Sequence, residues 1–161
     1  MNYLQWALND FSILLNIIDE DAKASFRARA RNIPAFIEEY GIVASLSFLL
    51  AKAEKKNFEK IYKSIIGNQS FNLEDIKGEK KGYAYYASLL VYRIAKIANL
   101  ISDELFKASK TLEQDFNDKN LVEFLNLLLK YDQEVSSLIL PYLNEIKQLS
   151  EAFFEEEGGK E

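Results

Sequence analysis

Residues 83–107 read YAYYASLLVYRIAKIANLISDELFK, and this stretch decides the fold. Tyr83, Tyr86, Leu90, Ile94, Ile97, Ile101 and Leu105 recur at steps of three or four residues. That spacing lines one face of an α-helix, whereas a half-buried strand would alternate at every second residue. One long amphipathic helix over 83–107 is expected, with Arg93 and Lys96 on its outward side.

The same period runs outward in both directions. Towards the N-terminus a helix is expected over 2–18, with Leu4, Leu8, Phe11, Leu15 and Ile18 on its core face. Asp19 and Asp21 then suit the start of a helix over 20–32. Ile33-Pro34 should end it, because a residue before proline is pushed out of the α region. Pro34 fits the first position of a short helix over 34–40. Gly41 opens a helix over 41–56 that is apolar on most sides and so should be buried. Asn57 caps a helix over 58–66, which ends at Gly67.

Residues 67–82 hold three of the six glycines and six charges without a clean period, so a flexible loop is expected there. Towards the C-terminus a helix over 118–131 carries Leu121, Phe124, Leu125 and Leu128. The last segment, 132–156, should be kinked or divided by Pro141. An acidic tail at 155–161 should fray. With no β-alternation, internal repeat or linker, the class is all-α: one compact helical-bundle domain of six to eight helices over 1–161.

Composition narrows the chemistry. The 161 residues include no Cys and no His. Their absence excludes disulfide scaffolds, thiol nucleophiles, Ser-His-Asp triads and His metal ligands. There is no phosphate-cradling glycine loop and no Ser-x-x-Lys pair. Asp19-Glu20-Asp21 and the Asp115/Asp118 pair could each approach a hard cation, but both also suit helix starts. No catalytic residue, metal or cofactor is expected. The first ten residues carry no basic side chain, so they do not read as a signal peptide. The longest apolar runs, 42–51 and 83–92, are too short to span a bilayer. A cytoplasmic location without membrane association is expected.

The net charge of −5 argues against a polyanionic partner until it is divided along the chain. Residues 1–22 sum to −4, residues 23–110 to +7, and residues 111–161 to −8. Within the basic middle, Lys23, Arg27 and Arg31 fall at i, i+4, i+8 on one helix face. Lys52, Lys55, Lys56 and Lys60 cluster further on, and Lys80 and Lys81 precede a tyrosine-rich run. With Arg93, these ten are the candidate nucleic-acid-binding residues, suited to phosphate oxygens rather than to base edges. Each cluster alone also has a purely structural explanation, such as a lysine at a helix C-terminus. Tyr83 and Tyr86 lie on the core stripe, and Tyr85 is the better candidate for stacking on a base. Trp6, the only tryptophan, should anchor the core or an interface.

Residues 27–52, RARARNIPAFIEEYGIVASLSFLLAK, carry a resemblance. A basic helix leads to Ile33-Pro34, then Ile37, Gly41-Ile42, Leu46, Phe48-Leu49 and Lys52. This resembles the signature of the Cmr small-subunit family, the small α-helical subunit of type III-B CRISPR RNA-targeting effector complexes. Residues 119–131 occupy the place of that family's C-terminal helix, with Lys130 but without its tryptophan. The resemblance implies a non-catalytic structural subunit. Its copies would stack head to tail beside the backbone and large subunits and brace guide and target RNA electrostatically. Two other readings stay open on the residues alone: a helical protein-protein interaction module without nucleic-acid binding, and a carboxylate-metal enzyme built on Asp19, Asp21, Asp115 and Asp118.

Overall fold

The structure, a computed structural model, describes residues 1–67 and 71–156. Among these residues the chain forms eight α-helices and no strand: α1 Tyr3–Ile17, α2 Lys23–Tyr40, α3 Ile42–Ala53, α4 Lys55–Gly67, α5 Gly78–Ile97, α6 Asp103–Gln114, α7 Asp118–Lys130 and α8 Asp132–Phe153. Single 3₁₀ turns at Glu20–Ala22 and Ala98–Leu100 join α1 to α2 and α5 to α6. The all-α class is as expected.

α5 is the axle of the bundle, packing against α2, α3 and α4 and also touching α1, α6 and α8. It is apolar or small nearly all round, so every residue from 81 to 91 is buried. The expected stripe Tyr83, Tyr86, Leu90, Ile94 and Ile97 lies in this core. Small residues let neighbours approach closely. A Cβ on Gly82 would meet Ser25 Oγ of α2 at 2.1 Å, so α2 and α5 cross here backbone to backbone.

Several expected boundaries are corrected. The helix expected over 83–107 stops at Ile97, and α6 begins afresh with the Ser102 hydroxyl accepting from Leu105 N at 3.1 Å. Ser102 followed by Asp103 and Glu104 is a helix-start signal that the unbroken apolar period masks. α5 also begins earlier than expected, so Gly78 and Gly82 belong to a helix and not to the loop placed over 67–82. Residues 68–70 of that loop lie outside the described residues, as do 157–161 of the expected acidic tail.

Neither proline divides its helix. Pro34 sits inside α2 and Pro141 inside α8. Proline fixes φ near the helical value, so its cost is a lost hydrogen bond and a steric push, about 3 kcal/mol. In α2 the buried Phe26, Ala30, Ile33 and Ile37 hold the helix against α5 and α8 on both sides of Pro34. Tertiary burial thus outweighs the local break. In the other direction, the segment expected as one helix over 41–56 ends at Ala53. There Glu54 takes a left-handed conformation, φ 70°, and α4 starts directly at Lys55. Asn57 does not cap α4; its side-chain amide donates to Ala53 O at 2.8 Å and closes the end of α3.

Candidate nucleic-acid interface

α2 is amphipathic with respect to charge. Phe26, Ala30, Ile33, Pro34 and Ile37 face the core, which leaves its arginines to the rim. Arg27 turns towards the end of α8, where Nη1 donates to Glu151 O at 3.1 Å and to Phe154 O at 2.7 Å. Its Nη2 meets Glu156 Oε1 at 3.3 Å, and Arg31 Nη2 lies 3.7 Å from the same oxygen. Arg29 turns the opposite way, with its guanidinium 4.2 Å from the Tyr83 ring centre on α5. The small Ala28 and Asn32 lie between. Arg27, Arg29, Arg31, Asn32 and Glu156 thereby enclose a groove of about 260 Å³ on the outward side of α2. Lys23, first of the expected stripe, pairs with Glu20 at 2.8 Å and does not line the groove.

Beyond Arg29 the surface turns aromatic. The Phe48 ring of α3 lies 6.0 Å from Tyr83 and stacks on Phe36 at 5.2 Å, and Phe36 contacts Tyr40 at 4.8 Å. Tyr40 is 58% exposed. Lys52 sits at the same place, 5.8 Å over the Phe48 ring. Phe36 and Tyr40 went unread as candidates because each looks like an ordinary helical apolar position. Their i, i+4 spacing on the face opposite Arg27 was the available signal.

The lysines divide. Lys55 pairs with Asp118 at the start of α7, and Lys80 pairs with Glu54. Hydrogen bonding to Lys80, helped by the Lys80 and Lys56 charges, holds the Glu54 carboxyl below its usual range. Lys52, Lys56, Lys60 and Lys80 thus gather near the α3–α4 junction, with Lys52 and Lys56 exposed and Lys60 half-buried.

Two of the ten expected residues do not reach a surface ligand. Lys81 is 4% exposed, with Nζ 3.1 Å from Asp19 and 2.8 Å from Asp21. Burial alone would lower its pKa, but hydrogen bonds to the two aspartates raise it above the ordinary lysine value. Arg93, expected on the outward side of its helix, is buried. Its Nε and Nη2 donate to Asp10 at 2.8 and 2.6 Å, and Tyr142 Oη donates to Asp10 at 2.7 Å. Burial opposes the Arg93 cation, yet the Asp10 carboxylate raises its pKa overall. Tyr85, the expected stacking residue, is also buried and donates to Ile17 O at 2.9 Å. All three lie on the covered part of α5, whereas Lys96, expected on the same outward side as Arg93, is exposed.

The carboxylates have structural work. Asp19 and Asp21 hold Lys81, and Asp118 pairs with Lys55. Among the described residues no group of three Asp or Glu is arranged to hold a metal ion, and no helix is long and apolar enough to cross a membrane.

Comparison with known proteins agrees with this architecture. Residues 5–153 match the family described as CRISPR-associated protein (Cas_Cmr5). The chain is 26% identical over 150 residues to the "CRISPR system CMR subunit Cmr5" of Saccharolobus solfataricus, covering 92% of this chain and 91% of that one. Its fold is similar to a chain in the cryo-EM structure of the type III-B Cmr-beta complex bound to cognate target RNA and AMPPnP. The TM-score is 0.77 at 23% identity, with 97% of this chain and 98% of that chain covered. A chain of the same complex bound to non-cognate target RNA is equally similar, with a TM-score of 0.77 at 24% identity over the same shares of each chain. The family match spans all eight helices and contains the residue 27–52 segment that carried the resemblance: the chain belongs to the Cas_Cmr5 family of CRISPR-associated proteins.

Proposed function

We propose that the chain is a non-catalytic structural subunit of a type III-B Cmr effector complex, and that it braces RNA by its phosphate backbone. The observation that carries this reading is the α2 groove, which Arg27, Arg29 and Arg31 of one helix line on an outward surface. Arg29, which lines the groove, also stacks on Tyr83 beside Phe48 and Lys52, and further lysines lie at the α3–α4 junction. Guanidinium groups suit phosphate because their planar donors match its oxygens. Aromatic rings beside cations suit unpaired bases. Both contacts are indifferent to sequence, as expected where base pairing does the reading. The relatives with this fold were seen in a complex bound to target RNA, which supports the same assignment.

The test is salt-dependent binding of a labelled single-stranded RNA to the intact protein. Arg31, Lys52, Lys56 and Lys60 are replaced together by glutamate. These four leave the buried Lys81 and Arg93, and the α8 anchor Arg27, untouched. Binding is expected to be lost while the helical circular dichroism persists. Four phosphate contacts would give a slope of log affinity against log salt near about −3. Undiminished affinity in the fourfold variant overturns the assignment.

A further inference from the structure

Glu156 places its carboxylate between two arginines of α2. Its Oε1 lies between Arg27 Nη2 at 3.3 Å and Arg31 Nη2 at 3.7 Å, at the edge of the α2 groove. The placement follows from the element before it. α8 ends at Phe153, and Phe154 turns extended and buries its ring against Phe11 at 5.3 Å and Phe26 at 6.0 Å. That anchor sets the direction of the chain, and Glu156 follows two residues later.

The two arginines differ in how they are held. Arg27 is 15% exposed and donates to the Glu151 and Phe154 carbonyls, so it keeps its place without Glu156. Its cation also complements the negative end of α8. The Glu156 and Arg31 side chains are 46% and 48% exposed, so their pair is open to water and weak. A fixed guanidinium, a second one beside it and a displaceable carboxylate between them make a preorganised oxyanion site with a removable occupant.

We propose that Arg27 and Arg31 form a binding site for a phosphoryl oxyanion, and that Glu156 is its tethered competitor. An incoming phosphate displaces the carboxylate, so the apparent affinity is set by the difference between the two. Insofar as the phosphate belongs to RNA, the proposal rests on the RNA-backbone reading above. Free pyrophosphate shares the chemistry and serves as an independent probe.

The experiment compares the intact protein with E156Q and E155Q. Both variants lose one charge, but only Glu156 touches the arginines. For a labelled oligouridylate at 0.1 M salt, E156Q should bind about three- to fivefold more tightly, the scale of one exposed ion pair. Its salt dependence should steepen, and E155Q should stay near the parent protein. With pyrophosphate, the Nε–Hε NMR resonances of Arg27 and Arg31 should shift in E156Q at lower concentration than in the parent.

Equal oligouridylate affinity in parent and E156Q, or equal gains in E156Q and E155Q, overturns the competitor role and leaves the RNA reading standing. Shifts with pyrophosphate but no oligouridylate binding in any form overturn the RNA reading and leave the oxyanion site standing. No arginine shift in any form overturns the site.

Discussion

Gly41 shows how much can rest on one residue. It ends α2, with its N–H on Ile37 O at 2.8 Å, and begins α3 with φ 90°. Asp132, the first residue of α8, accepts from Ile42 N at 3.0 Å and from Val43 N at 3.1 Å, satisfying the free amides at the start of α3. A Cβ on Gly41 would stand 2.8 Å from Asp132 Oδ1. Gly41→Ala therefore strains the backbone and displaces the cap together. A loss of about 2 kcal/mol is expected in urea unfolding, within the usual scale of such strain. The buried Asp10–Arg93–Tyr142 cluster gives a second test. Asp10→Ala leaves the Arg93 cation buried without its carboxylate and should cost about 3–5 kcal/mol. The paired change Asp10→Leu with Arg93→Met should recover most of that stability in the same measurement. An Arg93 read from sequence as a surface cation would predict neither result. Its partner stands 83 residues away, beyond any local pattern.

At the scale of elements, periodicity alone placed α1 and α7 almost to the residue. It failed where a local signal met a tertiary force. Pro34 and Pro141 looked like breaks, but their helices are clamped on both sides by buried apolar residues. The 98–102 break looked like helix, because apolar residues happened to keep the period through it. α1 illustrates the same limit within one face: of the expected core positions Phe11 and Ile18 are buried, beside Ala7 and Leu14, whereas Leu4, Leu8 and Leu15 are exposed. The apolar sector is wider than the surface α8 covers. α6 and α7 are joined by Glu104, which accepts from Lys130 Nζ at 2.7 Å and from the Tyr131 hydroxyl. Hydrogen bonding to Lys130, then to Tyr131, holds the Glu104 carboxyl below its ordinary value of 4.5. A depressed carboxylate stabilises the fold above that value, and the gain is lost as pH falls through the folded-state pKa. The melting temperature of Glu104→Gln should therefore lie below that of the parent at pH 7, and the two should converge as the pH drops below 4.5. A gap that persists at pH 3 would remove the ion pair as its cause.

For the whole molecule, charge and exposed apolar surface govern association. Leu4, Leu8 and Leu15 of α1 and Val122 and Leu129 of α7 form two separate exposed apolar stripes. Two different faces are what head-to-tail stacking of identical copies requires, since one surface must meet another. On the reading that copies stack in this way, Leu8→Glu or Leu129→Glu alone should cap growth in sedimentation velocity. Mixing the two variants should yield dimers through the one intact pair of faces. Longer assemblies formed by either variant would exclude these stripes from the contact. The sequence by itself determined the helical class, the absence of His and Cys chemistry, the basic middle between acidic flanks and the residue 27–52 segment that marks the family. These follow from composition and short-range spacing, which act within a few turns of chain. Only the tertiary structure decided which cations face outward. It drew Lys81 and Arg93 inward to Asp19, Asp21 and Asp10, and set Arg27, Arg29 and Arg31 around one groove with Glu156 at its edge. The reason is that a charge is buried or exposed according to what packs over it, and the covering helices come from distant parts of the chain.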